Sequence, residues 1–573
     1  MKKLRIIRLM ICLVLLIGLL TGCLGGAKQE ASNSENKIEK STINDPARVI
    51  RPIEILSRPQ AAAPDEYETA TIIAEGMKQL GLDAKVKVLP WEQLSNVVWF
   101  ERDKWDITGW QQAARPERLD PDEFVYNLFH SSNVKEGYNF VGYVNKDLDS
   151  IVEKQRITLD KNERKDLIFK AQEIIAKDVP FFFNVHPTVN YVYNNKVFEK
   201  SSIVDMAGLG IKNFWTFVNA VPKGEQKDLI LNSNDNIRAV NPLYISGSVD
   251  SWATELIWDR LMRVGEDGLP KTWAAEKVEW ETDKKVKITL HDGMKWHDGK
   301  PVTPEDVKFS FEAPMSGEAP AYKPFVENIK SIDIVDNKTL VFNLNNPNAA
   351  FETASLAKIN LIPKHIWEPI INDLKTKPEN AESYQEKVPV GSGPFKFSNW
   401  KMSEEIVLAA NKEHFSAPKV NRWITRIVPN MEAALGMIQN GEINFLAAYS
   451  GDAKLLEEKV KASKDLTMVS SVDLGFRFFA PNLRRAPFDD VAFRKGIASV
   501  IDRNVLVDAV WKGYAVPGDS VISPALKFWK NTKLDYPSGG VESGKKILQE
   551  AGYQWDKDGK LLYPKGKTET LGK

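Results

Sequence analysis

The sequence predicts an α/β fold with more than one domain. Residues 53–56 and 84–89 alternate between apolar and polar positions as strands do, whereas the apolar residues of 67–80 recur at helical spacing. Residues 160–177 form a second amphipathic helix, and the apolar run 181–185 that follows it is typical of a buried strand. Helices and strands that succeed one another in this way favour layered α/β architecture.

The helix over 160–177 has recognisable ends. Asp160 is a good N-cap, and Glu163 stands three residues later, as in a capping box. Asp178-Val179-Pro180 is predicted to end the helix, because proline disfavours a helical conformation in the residue before it.

A second series of elements begins after the polar break at residues 223–227. Residues 228–232 are predicted to form a strand, and Trp252–Met262 a helix with one apolar face. Residues 273–312 suggest a hairpin around His291-Asp292-Gly293, and residues 329–345 a second hairpin that turns at Asp336-Asn337-Lys338. Thr303-Pro304-Glu305-Asp306 predicts the start of a helix, with Thr303 as the N-cap and Pro304 in the first helical position.

The N-terminus has the layout of a secretory signal. A basic stretch over residues 2–8 overlaps an apolar run from Ile6 to Leu20. Leu20-Thr21-Gly22-Cys23 resembles the lipobox of bacterial lipoproteins, which implies removal of residues 1–22 and a lipid on Cys23. The alternative is an uncleaved N-terminal anchor. Residues 23–46 are small, polar and charged, and are predicted to form a flexible tether between lipid and folded body.

Composition excludes several classes of protein. Without residues 1–22 the chain keeps about 550 residues, too many for one core, so two or three domains are expected. Lys+Arg and Asp+Glu both total 77, which argues against a nucleic-acid partner. Cys12 and Cys23 are the only cysteines, so no disulfide and no thiolate metal site is expected in the mature chain. The spacing of His291 and His297 is a weak metal signal, and we predict neither metal nor cofactor.

Four blocks of the sequence carry a recognisable pattern. They lie at Trp280–Val307, at Gly391-Ser392-Gly393-Pro394-Phe395, between Asn482 and Arg503, and from Phe129 through Asp149 to the helix at 160–177. Together they resemble the extracellular solute-binding proteins, family 5, which serve peptide, nickel and related ABC importers. The resemblance covers most of residues 47–573. It implies a periplasmic-binding-protein-like fold of type II, with two lobes, a hinge and an inserted third domain. The small residues Gly391-Ser392-Gly393 are expected to let two backbones approach closely where the lobes meet.

The order of these blocks differs from the order in the family. The stretch that begins at Asp228 normally comes first, and residues 160–222 normally come last. The chain therefore resembles a circularly permuted member of the family. Circular permutation is well tolerated at exposed surface loops. The alternative is that an assembly artefact has joined two incomplete halves. Lobe I is predicted to comprise residues 191–265 and 389–470, the inserted domain residues 266–388, and lobe II residues 471–573 together with 47–190.

The block Asp106–Arg115 is predicted to line the ligand cleft, with Trp110, Gln112 and Arg115 as candidate contacts, joined by Arg118. Peptide-binding members of the family carry Trp-x-x-Asp here, and the resemblance assigns that carboxylate to a peptide amine. In this chain Ala113 takes the acidic position, so an amine anchor is missing from this spacing. Trp110 is suited to stack on a sugar, a planar group or a cation, and the arginines to hold a carboxylate or phosphate. The alternative is that Trp110 belongs to the core and the arginines are solvated.

The facing lobe supplies a donor-rich loop, Asn241–Trp252. Its candidate ligand contacts are Tyr244, Ser246, Ser248 and Trp252. Arg477 is a further candidate, because it interrupts an aromatic strand with a charge. Chance exposure of each side chain is the alternative.

These observations predict a lipid-anchored receptor on the extracytoplasmic face of the cell membrane. We expect a monomer that binds a small molecule or peptide and delivers it to the permease subunits of an ABC importer. A solute sensor or chaperone-like receptor without a transporter is the second hypothesis. An extracellular hydrolase is the third, but the six histidines stand in no catalytic motif and no G-x-S-x-G or HExxH signature occurs.

Overall fold

The computed structural model describes residues 41–567 except 113–117, 136, 244–247, 317–318, 320–321, 377–383 and 385. The predicted signal over 1–22, the lipid site at Cys23 and most of the tether therefore lie outside the described residues, as do Arg115, Tyr244 and Ser246.

The strands within the described residues are numbered in chain order. They are β1 Ile53–Ser57, β2 Ala84–Val88, β3 Ile107–Gln112, β4 Phe182–Asn194, β5 Asp228–Ser233, β6 Met262–Val264, β7 Pro270–Thr272, β8 Ala275–Thr282, β9 Lys285–Leu290, β10 Ile329–Ile334, β11 Thr339–Leu344, β12 Phe395–Lys401, β13 Glu405–Ala410, β14 Arg422–Ile427, β15 Phe445–Leu446, β16 Leu466–Val472, β17 Phe476–Pro481, β18 Ala515–Pro517, β19 Gln554–Trp555 and β20 Leu561–Leu562.

The α-helices within the same residues are numbered likewise. They are α1 Pro64–Gln79, α2 Trp91–Phe100, α3 Asp122–Val125, α4 Lys146–Ile157, α5 Lys161–Asp178, α6 Phe214–Asn219, α7 Ser248–Ile257, α8 Pro304–Glu312, α9 Lys364–Leu374, α10 Met431–Asn440, α11 Ala453–Lys461, α12 Val491–Val500, α13 Arg503–Val505 and α14 Gly540–Glu550. No helix among these combines the length and apolar character needed to span a bilayer.

One large mixed sheet organises the described chain. Its strand order is β12-β13-β14-β5-β15-β4-β17-β3-β1-β2, and β16 and β18 also pair with β4. The pairs β1–β2, β1–β3 and β14–β5 are parallel. Helix α1 connects β1 to β2, as the alternating pattern predicts, and α2, which was not predicted, connects β2 to β3. The predicted α/β class is therefore confirmed.

Two large hydrophobic cores lie along this sheet. The first combines residues from 50–185 with residues from 474–563, two stretches that are remote in the chain, and it also includes Met206. The second draws on residues from 193 to 447 and includes the four-stranded sheet β10-β11-β9-β8. Burial of apolar surface thus holds the beginning and the end of the described chain in one body. The exact lobe boundaries stay a prediction.

The two ends of the described chain are hydrogen-bonded to each other. The backbone N–H of Tyr563 donates to the carbonyl of Arg48 at 2.8 Å, and that of Ile50 donates to the carbonyl of Leu561 at 3.1 Å. Val49 and Leu562 form an antiparallel bridge. The connection at residues 223–227, by contrast, is exposed.

Capping and turn residues act as predicted. Asp160 accepts hydrogen bonds from the backbone N–H groups of Asn162 and Glu163 at the start of α5. Thr303 and Asp306 form a complete capping box on α8. The hairpin at Asp336-Asn337-Lys338 joins β10 to β11, as expected.

Three local predictions were wrong. Residues 252–262 are not one helix: α7 ends at Ile257, and Met262–Val264 pairs with β7, because the buried chain reverses there. The hairpin β8–β9 turns between Thr282 and Lys285, so His291-Asp292-Gly293 follows the second strand instead of closing the hairpin.

The third error concerns Gly391 and Gly393, which were expected to lie where the lobes meet. They do permit a close backbone approach, because a Cβ on Gly391 would lie 1.9 Å from the carbonyl oxygen of Ile257. That neighbour is the end of α7, however, and it belongs to the second core, as does Phe395 beside the glycines.

Candidate ligand-binding site

The candidate site lies around two places at which a strand or turn carries the chain from one core to the other; these places are called strand passages. Strand β4, predicted only as far as residue 185, runs from Phe182 to Asn194. Its first residues pair with β17, and Thr188 to Asn194 pair with β16. The turn Asp473–Gly475 leads from β16 directly into β17 and makes the second passage. Two thin connections of this kind are the geometry in which hinge closure occurs.

Asp473 lies at the second passage and is buried. Its carboxylate accepts hydrogen bonds from the backbone N–H of Gly475 at 3.2 Å and from Gln111 Nε2 at 3.4 Å. Burial raises the pKa of Asp473 to about 6, against the opposing effect of the backbone N–H groups of Gly475 and Leu474. A polar group of the predicted cleft block therefore meets a carboxylate at the passage.

Trp110 belongs to an aromatic cluster on β3. Its ring centroid lies 4.8 Å from Phe140, 5.1 Å from Phe478 and 6.2 Å from both Trp91 and Trp99. The side chain is half-buried, so most of its ring is engaged with the first core. The neighbouring Gln112 is also half-buried and pairs in register with Phe476.

Arg477 is held by contacts within the protein. Its guanidinium lies 2.7 Å from a carboxylate oxygen of Asp65 and 5.2 Å from the ring of Trp511. Burial lowers the pKa of Arg477, and the carboxylates of Asp65 and Glu66 oppose that shift. The predicted charge in the aromatic strand is thus real, but Asp65 already neutralises much of it.

Arg118, the next candidate contact, pairs with Glu123. Its Nε is 3.9 Å from a carboxylate oxygen of Glu123, and both side chains are partly exposed. A long ion pair of this kind contributes little to stability. Arg115, the other arginine proposed to hold a carboxylate or phosphate, lies outside the described part of the chain.

Trp252 stands on α7 in the second core. It packs edge-to-face on Phe217 with centroids 5.7 Å apart, and the ammonium of Lys212 lies 5.4 Å from its ring centroid. Its indole N–H is buried and has no hydrogen-bond acceptor among the described residues. Ser248 is the first residue of α7, and its side chain is not described.

Sequence reasoning missed three charged residues of this region: Asp65, Lys212 and Asp473. Asp65 follows Pro64 at the start of α1, where an acidic residue reads as ordinary first-turn chemistry. Asp473 did carry a signal, because it is a lone carboxylate between two apolar strands. Lys212 carried none, since its partner Trp252 is forty residues away in the chain.

The histidine spacing does not form a metal site. His297 Nε2 donates to the carbonyl of Gly393 at 3.0 Å, and His297 Nδ1 accepts from the N–H of Gly391 at 3.2 Å. Burial lowers the pKa of His297 to about 4. No group of three or more His, Cys, Asp or Glu side chains suited to a metal ion occurs in the described residues.

Comparisons with known proteins agree on one class. The model for bacterial extracellular solute-binding proteins, family 5 Middle, matches residues 270–572. The oligopeptide-binding protein AppA of Bacillus subtilis (strain 168) is 28% identical over 348 residues, which cover 58% of this chain and 62% of AppA. Heme-binding protein A of Haemophilus influenzae is 28% identical over 334 residues, which cover 54% of this chain and 59% of that protein.

Among solved structures, NikZ from Campylobacter jejuni in complex with Ni(L-His) is 24% identical. It aligns with a TM-score of 0.43 over 60% of this chain and 67% of NikZ. The chain spans about three fifths of the length of the two curated relatives described above.

Proposed function

Because the chain belongs to the bacterial extracellular solute-binding proteins, family 5, we propose that it is the substrate-binding component of an ABC importer. It binds a small solute, an oligopeptide or a related compound, between its two cores and closes over it. The observation that carries this proposal is the pair of strand passages at β4 and at Asp473–Gly475, where the chain crosses from one core to the other. Closure at such a place shields a ligand from water and strengthens its polar contacts.

The names of the relatives support a range of ligands. One curated relative is named for oligopeptides, another for heme, and a solved structure holds nickel with histidine. We propose a peptide-like solute first, with Trp110, Gln112, Arg115, Arg118 and Arg477 as contacts from one core. From the other we propose Tyr244, Ser246, Ser248 and Trp252.

A receptor gains stability from a ligand that it leaves unchanged. We expect the ligand retained through purification without refolding to be identified by native mass spectrometry. Added back at 100 times its Kd, it should raise the free energy of unfolding by about 2.7 kcal/mol. Calorimetry on Trp110→Phe should show weaker binding, with Trp99→Phe, in the same aromatic cluster, as the matched control.

Two results would contradict this function. A solute that is converted to a product would favour an extracellular hydrolase. If a solute stabilises the protein but the cell takes up that solute without any ABC permease, the sensor or chaperone-like receptor would be favoured.

We also propose that Cys23 carries a lipid that anchors the protein to the extracytoplasmic face of the membrane. The change Cys23→Ser should release the protein from the membrane fraction into the soluble fraction, because Cys23 is the only cysteine after residue 22. Immunoblotting of the fractions measures this. Cys12→Ser, inside the leader, is the control that should leave the distribution unchanged, and membrane retention of the Cys23 variant would refute the anchor.

We further propose that the chain is a circularly permuted member of its family. The hydrogen bonds between residues 43–50 and 557–563 support this, because in the family order residues near 563 would run on into residues near 48. The exposure of residues 223–227 supports a join at that place, since permutation is tolerated at exposed loops.

A further inference from the structure

Lys212 is a half-buried cation without an anionic partner. Its ammonium lies 5.4 Å from the ring centroid of Trp252, and no carboxylate of the described residues pairs with it. Burial alone lowers its pKa to about 8, and no neighbouring carboxylate counters the shift. An ammonium that is partly removed from water without a counter-charge costs free energy, and the contact with the Trp252 ring offsets that cost only in part.

Trp252 adds a second donor at the same place. Its indole N–H is buried and lacks an acceptor, while its ring is fixed edge-to-face against Phe217. Leaving a buried donor unpaired costs about 1–3 kcal/mol. The two side chains thus adjoin and each carries an unpaired donor, one of which is charged. An anionic oxygen can accept hydrogen bonds from donors of this kind.

The position of Lys212 connects this pair to the strand passages. The segment before it runs beside Asp473: Gly208 bridges Asp473, and the N–H of Leu474 donates to the carbonyl of Gly208 at 2.9 Å. Gly210 has a φ of 66° and packs so tightly on Tyr191 of β4 that an added Cβ would lie 2.8 Å from the ring. Lys212 therefore follows directly on the two passages at which closure is proposed.

A second lysine–tryptophan contact in the same core serves as a comparison, because its lysine has an anionic partner. Lys271 lies 5.8 Å from the ring centroid of Trp215, much as Lys212 lies over Trp252. Lys271, however, pairs with Glu266 at 3.7 Å, and about half of its side chain is exposed. The absence of an acceptor at Lys212 is thus not a general property of lysine–tryptophan contacts in this protein.

We propose that Lys212 and Trp252 form a subsite that receives a carboxylate of the bound solute. This inference rests on the proposed function and narrows it: the solute carries an anionic group, such as the carboxyl terminus of a peptide. The ammonium supplies the charge, the indole N–H donates a directional hydrogen bond, and the passages at β4 and Asp473 bring the opposing core over the bound group.

The test compares peptides that differ only at the carboxyl end. A mixture of tripeptides to pentapeptides with free carboxyl termini, and the same mixture amidated, are titrated into the whole mature protein by calorimetry. We expect the acids to bind more tightly, and Lys212→Met to weaken the acids by about 10- to 100-fold while leaving the amides unchanged. Trp252→Phe should cost up to about 10-fold, Lys212→Arg should restore part of the affinity, and Lys271→Met should have no effect.

The ligand-free stability separates binding from a structural role. Because Lys212 is an uncompensated half-buried charge, Lys212→Met should leave the melting temperature of the ligand-free protein equal or higher; a marked fall would assign the lysine to the fold and overturn the inference. Equal affinity for acids and amides, or a retained solute without an anionic group, would overturn the subsite and leave the receptor function intact. Absence of binding to any solute would refute the function, and the subsite with it.

Discussion

Replacing Arg494 with methionine is expected to lower the free energy of unfolding by about 3–5 kcal/mol, because its guanidinium serves several buried carbonyls at once. Nε and Nη2 of Arg494 donate to the carbonyl of Asp178 at 3.0 and 2.6 Å, Nε also donates to Val179, and Nη1 donates to Phe488 at 2.7 Å. These bonds join α12 to the end of α5, two elements separated by more than three hundred residues.

The end of α5 depends on this arginine for a second reason. Val179 adopts a left-handed conformation with φ of 49°, which is unfavourable for a β-branched residue. Arg494 compensates for this strain, because it donates hydrogen bonds to the carbonyls of Asp178 and Val179. Its positive charge also interacts favourably with the C-terminal end of the helix. Methionine keeps much of the apolar packing but leaves the carbonyls without donors.

Urea denaturation followed by tryptophan fluorescence and by circular dichroism measures the effect. Lys495→Met removes a positive charge from the adjacent position of α12 and is the control, with an expected change within about 0.5 kcal/mol. A change below 1 kcal/mol for Arg494→Met, or two separate unfolding transitions for residues 47–190 and 471–567, would contradict a shared core.

A chain rearranged into the family order is expected to fold and to bind as the natural chain does. It consists of residues 228–567, a linker of about six flexible residues, and residues 45–222. Its melting temperature should lie within about 3 °C of the natural value, because closing one surface loop in place of another changes the free energy of unfolding by ~1 kcal/mol.

The control opens the chain inside β4 instead. It consists of residues 189–567, the same linker and residues 45–188, so that Thr188 and Val189 become the ends. Both residues pair with β16, and the N–H of Thr188 donates to the carbonyl of Tyr514 at 3.0 Å. This chain should be largely unfolded at room temperature, because the cut breaks the strand that joins the two cores and lies among its hydrogen bonds to β16 and Tyr514.

Calorimetry and ligand titration on the two rearranged chains decide the matter. Failure of the family-order chain to fold would refute the permutation proposal, and survival of the chain opened in β4 would show that β4 does not couple the cores.

Local features of the fold were predictable because their causes are local. The helix over 160–177 was recognised from apolar spacing and from Asp160, and α5 spans Lys161–Asp178 with that cap. The turn at Asp336–Lys338 and the helix start at Thr303 likewise depend on residues within four positions of one another. Interactions between residues that are close in the chain, such as caps and turns, can be predicted from the sequence alone.

The extent of β4 was not predictable in the same way. The apolar run ends at Val185, and His186, Pro187 and Thr188 read as the end of a strand. The strand continues because β16 and β18, from more than 250 residues further along, supply hydrogen-bond partners. Tertiary pairing overrides local propensity at strand ends.

The sequence by itself determined the α/β class, the family, the caps of α5 and α8 and the turn between β10 and β11. That the block around Trp110 lines the ligand cleft stays a prediction. Only the tertiary structure decided which charges are satisfied: Arg477 is neutralised by Asp65, whereas Lys212 stands over Trp252 without a counter-charge. The physical reason is that electrostatic pairing depends on distances of a few ångströms and on burial, and residues far apart in the chain acquire both only when the cores assemble.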